Sequence, residues 1–300
     1  MKRQGLAHDI LRYKHAYFFI APFFLVFFVF GLYTIGYSLA LSFHDWNASE
    51  PWKFIALYNY ARLLGDPVFW TSVWNVLYIY LVNVPAMVAL SVVIAVVLNS
   101  PHQRMKDFFR VTYLIPYVTS VLSISIVFFV VFDDSRGLVN LLLNRIGLNS
   151  VHWLTSKKIS KLSIDILVTW KWLGYNMIIA LAGLQSIDTQ IYDASRIDGA
   201  GTLRTFFRIS VPLIRPVIGF QLIMATIGTL TMFTEPYILT DGGPGYSSLT
   251  PVLYLYRSAF KFMKLGYASA IAFLTFVLVL LPSVIQVRLY AERGRSYTAT

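Results

Sequence analysis

The chain of 300 residues contains no cysteine, which excludes disulfides, thiolate-ligated zinc or iron–sulfur centres and thiol nucleophiles together, and leaves the redox compartment open. Charge is scarce as well: 13% of the residues are Asp, Glu, Lys or Arg, while 57% are hydrophobic. An ordinary soluble domain has about 25% charged residues. With a mean hydropathy of +0.63, such a chain cannot cover a water-soluble globule with polar surface, and it belongs in a membrane. Acidic residues are the scarcer sign, 14 against 25 basic, for a net charge of +11. No basic run interleaves with aromatics, so no nucleic-acid surface is indicated, and basic residues in cytoplasmic loops account for the excess.

Catalytic signatures are missing too. His8, His15, His44, His102 and His152 are scattered through terminal and loop segments without H-E-x-x-H spacing. There is no G-x-S-x-G elbow and no G-x-x-x-x-G-K-[ST] loop. The expectation is a chain that is not an enzyme, has no metal or cofactor of its own, and takes its energy from elsewhere. Transport is the leading class.

What is present is a set of long apolar runs. A hydrocarbon layer about 30 Å thick takes roughly 20 residues of helix, and six such runs occur: Tyr17–Leu41, Val73–Leu98, Val111–Phe132, Leu162–Leu184, Val217–Ile238 and Ala268–Val287. The fold class expected is an all-α membrane protein of six transmembrane helices. The first run follows Lys2, Arg3, Arg12 and Lys14 but is longer than the roughly 7–15-residue core of a secretory signal, so it reads as an uncleaved anchor. With a cytoplasmic N-terminus, 14 basic residues fall in inner segments and 10 in outer ones, the inner ones close to the span ends. This places a cytoplasmic N-terminus at 1–16, the six-span domain at 17–287 and a cytoplasmic tail at 288–300 of a multi-pass protein.

Two outer segments carry further order. In 137–148, Leu138, Leu141, Leu142 and Ile146 share a helical face, which suits a helix at the membrane interface or one packed on the bundle. Gly242-Gly243-Pro244-Gly245 reads as a compact turn.

The most informative segment is the cytoplasmic loop 186–216. Ile187, Ile191 and Ala194 recur at helical spacing, Ser186 or Asp188 can cap the start, and Gly199 and Gly201 break the helix before a basic return helix with Arg204, Arg208 and Arg215. The run Asp193-Ala194-Ser195-(x3)-Gly199-(x9)-Ile209-x-Val211-Pro212 resembles the E-A-A-x-x-x-G-x9-I-x-L-P motif of permease subunits of binding-protein-dependent ATP-binding-cassette (ABC) importers. Ala194-Ser195-Arg196-Ile197-Asp198-Gly199-Ala200 resembles the version in the carbohydrate-uptake branch. Phe54-Ile55-Ala56-Leu57-Tyr58-Asn59-Tyr60, followed by Asp66, Phe69-Trp70 and Asn75, is similar to the family's F-x-G-L-x-N-Y approach to the second span, with Ala56 where Gly is usual. Leu239-Thr240-Asp241-Gly242-Gly243-Pro244, followed by Tyr256, Ala259-Phe260 and Gly266-Tyr267-Ala268, is similar to its L-T-x-G-G-P loop.

The resemblance implies the fold of a type I ABC importer permease in the inner membrane, of the first-permease (maltose, lactose and glycerol-phosphate) type. It implies a non-identical second permease, a cytoplasmic ATPase dimer that binds the ATP, an extracytoplasmic solute-binding protein and a sugar substrate. The loop is then a coupling helix seated in a cleft of the ATPase, with Asp193, Ala194, Ser195, Asp198, Gly199 and Ala200 as its contact residues. Asp193 stands where Glu is usual, and Ser195 replaces the second Ala. A polyol phosphate as the solute and a secondary transporter driven by an ion gradient, with Asp165 and Glu235 as the coupling carboxylates, are the alternatives; an intramembrane enzyme or scaffold is a third.

Polar and small residues within spans mark the candidate substrate path. Gln221, Ala225, Gly228, Met232 and Glu235 fall on one face of the fifth span with Thr229 beside it. Tyr113, Tyr117 and Ser120 align on the third near Pro116, which can bend it, and Tyr175 and Asn176 lie mid-way along the fourth. Aromatic faces beside amides and hydroxyls suit a sugar. Helix packing is the other account of this set. Lys171, inside the fourth span, is expected to snorkel outward or pair with Asp165.

Overall fold

The computed structural model describes residues 13–49, 51–100 and 106–295, with side chains as far as 290. Lys2, Arg3, His8, Arg12, His102, Arg104 and the tail beyond 295 lie outside the described residues. Four helices are long and apolar enough to cross a membrane, or six if two sharply bent pairs each count as one span. The chain divides into two compact units, residues 1–65 with 257–273, and residues 66–256 with 274–300.

The first unit holds α1, Lys14–Ser42, interrupted by a π-helical turn at Phe27–Leu32. None of its most apolar stretch is buried in the chain, and Phe18, Phe19 and Phe30 are among its exposed rings. A two-residue ladder follows, β1 (His44–Asp45) antiparallel to β2 (Lys53–Phe54), and then α2, Tyr58–Leu64. Buried Asn59 fixes the turn by donating to the carbonyls of Ser42 and His44 at 2.9 and 3.0 Å. The last helix, Leu265–Arg295, starts in this unit, where the Leu265 N–H donates to the Trp46 carbonyl. Gly266 lies so close to the chain at His44 that a β-carbon there would stand 2.0 Å from that carbonyl oxygen.

The second unit is built around α3 (Pro67–Asn99) and α7 (Ser160–Gln185). Asp66 caps α3 by accepting the Val68 N–H at 2.8 Å, with Pro67 at the first helical position, where no N–H is missed. Val92, Ala95 and Leu98 of α3 close one end of the core on Met177, Ala180 and Leu184 of α7. Val76 and Ile79 close the other on Ile164, Leu167 and Val168.

The expected third span is not one helix. It is α4 (Lys106–Val118) and α5 (Val121–Val131), bent by 95°. Pro116 supplies no N–H to the ladder, and Ser120 is extended. The expected fifth span also departs from a single run: α9 (Thr202–Leu213) and α10 (Arg215–Leu230) meet at 68°, and the helix stops at Leu230, with Thr234–Thr240 a separate α11. The hydropathy of the run continues through the break, which is why composition alone merges the pieces.

Between α5 and α7, the short α6 (Leu138–Arg145) is fastened by one buried amide. Asn140 donates to the Asp134 and Val151 carbonyls and accepts from the Val151 N–H and the Trp153 ring N–H. Its leucine face is not packed on the bundle, since Leu142 is 63% and Ile146 72% exposed. The N–H of Arg136, with the hydroxyl and N–H of Ser135, holds the Asp133 carboxyl below its usual range. The Gly-Gly-Pro turn forms as expected: Asp241, Gly242 and Gly245 adopt positive φ, and Ser248 donates to the Gly243 carbonyl at 2.7 Å.

Candidate translocation cavity and coupling loop

Within the second unit, α3, α7, α10 and α11 enclose a cavity of about 110 Å3. Six of the seven path candidates line it: Tyr175, Asn176, Gly228, Thr229, Met232 and Glu235. Met232 and Glu235 lie beyond the end of α10, so the fold, not a shared helical face, brings them there. Tyr117 stands one layer back, its ring stacked on Tyr175 at 4.6 Å. Gln221 is fully buried and donates to the Asn176 carbonyl at 2.5 Å, holding α10 against α7. Sequence reasoning missed Asn83, Met87, Val168, Trp172 and Met224 in the lining. Asn83 had a usable signal, an amide inside an apolar run. Its side chain donates to Thr169 at 2.7 Å and to the Asp165 carbonyl at 3.1 Å.

Lys171 does neither of the things expected of it. It is 7% exposed, so it does not snorkel, and its ammonium donates to the Thr119 carbonyl at 2.9 Å and to that of Tyr117 at 3.5 Å. These carbonyls lie at the break between α4 and α5, where the helical ladder is interrupted. Asp165 is 4% exposed and neither carboxylate oxygen has a hydrogen-bond partner. Lys161, one turn before it, donates instead to Asn75 at 3.2 Å.

The loop 186–216 forms α8, Thr189–Ile197, and then α9. Asp188 is the cap, accepting the Gln190 N–H at 2.9 Å. Gly199 turns the chain at φ +72°, while the Gly199 and Ala200 N–H groups close the helix on the Arg196 and Ser195 carbonyls. Gly201 is extended at φ −70°, so the left-handed turn rests on Gly199. Ser195 faces inward, 6% exposed, and donates to the Tyr192 carbonyl. Asp193, Ala194, Asp198 and Gly199 are exposed and Ala200 half-buried. Asp193 is paired with Arg196 of its own helix at 3.1 Å. Ile197 of α8 is 87% exposed, and Leu203 and Phe207 of α9 are 75% and 65% exposed. Among the described residues, no group of His, Asp and Glu could hold a metal.

A mostly helical chain with long apolar spans, two of them bent, and an internal cavity lined by apolar side chains with a few polar groups fits a membrane permease. Residues 87–293 match the family described as the inner membrane component of binding-protein-dependent transport systems. The chain belongs to that family and is an ABC-transporter permease, a transporter and not an enzyme. It is 38% identical to the lactose transport system permease protein LacF of Rhizobium radiobacter over 94% of this chain and 95% of that one. It is 32% identical to the arabinooligosaccharides transport system permease protein AraP of Bacillus subtilis, over 96% and 92%. The fold superposes, at a TM-score of 0.84 and 21% identity, on a chain of a bacterial ABC transporter that imports the acidic polysaccharide alginate, covering 96% of this chain and 98% of that one.

Proposed function

We propose that this permease forms one half of a path for a sugar or oligosaccharide, delivered by an extracytoplasmic binding protein and moved by a separate ATPase dimer. A non-identical second permease supplies the other half, and both termini face the cytoplasm. The observation that carries the sugar reading is the cavity lining, in which the rings of Trp172 and Tyr175 stand beside the amides of Asn83 and Asn176. Ring faces accept the C–H patches of a pyranose, and the amide oxygens accept from its hydroxyls, the amide N–H groups being engaged within the protein. The relatives' names, lactose and arabinooligosaccharides, agree with this.

The cavity is smaller than the roughly 300–1,000 Å3 of ordinary ligand sites. In this conformation it marks a place on the path and does not enclose a sugar. Opening is a population shift: ATP closes the ATPase dimer, α8 moves with it, and the permeases rock about the path. For α8 the supporting feature is the exposed Ile197, which a partner's groove would cover, with Asp193, Ala194, Asp198 and Gly199 also exposed.

The test is uptake into vesicles carrying the complete complex. Sugar accumulation abolished by removing ATP, yet indifferent to collapse of ion gradients, is expected. Uptake that follows the ion gradient instead would reject the reading.

A further inference from the structure

We infer that the path through this permease passes uncharged saccharides and turns away anionic ones, with Glu235 as a specificity-determining residue. This rests on the sugar reading of the cavity and adds the charge of its substrate. Among the described residues, none of the twelve that line the cavity is Lys, Arg or His, and Glu235 is the one acidic side chain among them. A uronate, sulfate or phosphate entering so enclosed a space needs cationic donors to replace its water, because burying an unpaired charge is costly.

The backbone points the same way. Met224, Ala225, Gly228 and Thr229 line the cavity from the last two turns of α10, a sixteen-residue helix ending at Leu230, so the cavity lies beside the helix end that carries partial negative charge. The opposing positive end, that of the short α11, is answered by Glu235 itself, which lies in its first turn. Lys171, whose charge interacts with Glu235, is outside the lining and donates to the Thr119 and Tyr117 carbonyls. A neutral sugar meets no such obstacle, because its hydroxyls can donate to the carboxyl oxygens of Glu235 and to the amide oxygens of Asn83 and Asn176, whose N–H groups are already engaged within the protein.

The experiment uses the complete complex in lipid nanodiscs without its binding protein, so that no upstream selection intervenes, and measures binding by equilibrium dialysis. The probes are neutral disaccharides (maltose, lactose, arabinobiose) and anionic ones (digalacturonate, lactose 6-phosphate). At least one neutral probe is expected to bind at least about tenfold more tightly than every anionic one. Gly228→Lys places a cation in the cavity at a position where an added β-carbon meets no atom within 4 Å, and it is expected to reverse the order. Glu235→Gln, nearly the same shape, is expected to narrow the discrimination several-fold. Anionic probes that bind the wild type as tightly as neutral ones, or an order unmoved by both variants, would overturn the charge inference alone. Failure of every probe to bind would remove the sugar reading beneath it.

Discussion

Gly174 of α7 and Tyr113 of α4 meet so closely that a β-carbon on Gly174 would lie 1.7 Å from the Tyr113 carbonyl oxygen. The approach brings α4 against α7 and lets Tyr117, one turn on, stack on Tyr175 at the cavity wall. Gly174→Ala must push the two backbones apart, and overpacking of this kind costs about 1–3 kcal/mol or more. Gly36→Ala, where nothing lies within 4 Å, is the control. Thermal unfolding in detergent is expected to show a lower midpoint for Gly174→Ala and none for Gly36→Ala; equal midpoints would contradict the close approach.

Lys171 satisfies carbonyls that the break between α4 and α5 leaves open. A hydrogen bond to a charged group contributes about 1.5–3 kcal/mol. Lys171→Met should lower stability by about that amount, and Lys171→Arg should retain part of it. An unfolding midpoint unchanged in the Met variant would show that the ammonium does not hold the break.

Much of the membrane bundle was legible because hydropathy and span length report a solvent, and the lipid solvent is the same along the whole chain. The structure of the loop 186–216 was legible because Asp188, Gly199 and the short helix between them are local features. The break in the fifth span was not, since Leu230 and Thr234 differ little in their setting along the sequence although a helix ends at one and another starts at the other. Lys171 was misread for a related reason. Its partners lie more than fifty positions away, on carbonyls opened by a break that Pro116 announces only as a possible bend.

Ala56 sits at φ +51°, in the left-handed region that glycine occupies freely. That conformation gives a physical reason for glycine being usual there in the resembled motif. A left-handed L-residue costs roughly 1–2 kcal/mol, partly offset by the roughly 0.4–1 kcal/mol that glycine loses through the greater freedom of the unfolded chain. Ala56→Gly is expected to stabilise the protein by up to about 1 kcal/mol, read as a higher unfolding midpoint. A lower midpoint would contradict this.

Gly199 has space around its α-carbon, so its requirement is conformational: φ is +72° and an added β-carbon would touch nothing. Strain of this kind costs about 1–3 kcal/mol, enough to redirect α8 without unfolding the spans. Gly199→Val is expected to abolish uptake while the protein remains inserted and folded. Wild-type transport in vesicles would reject the dependence of coupling on this turn.

Because the chain has no cysteine, a single one introduced as Ile197→Cys, at a side chain 87% exposed on α8, can be addressed alone. A membrane-impermeant maleimide applied to sealed vesicles of each orientation locates it, and repeating the reaction on the assembled complex asks whether the ATPase covers it. Labelling from the cytoplasmic face alone, suppressed when the ATPase is bound, is the result predicted. Labelling from the opposite face, or labelling indifferent to the ATPase, would contradict the docking of this loop on its motor.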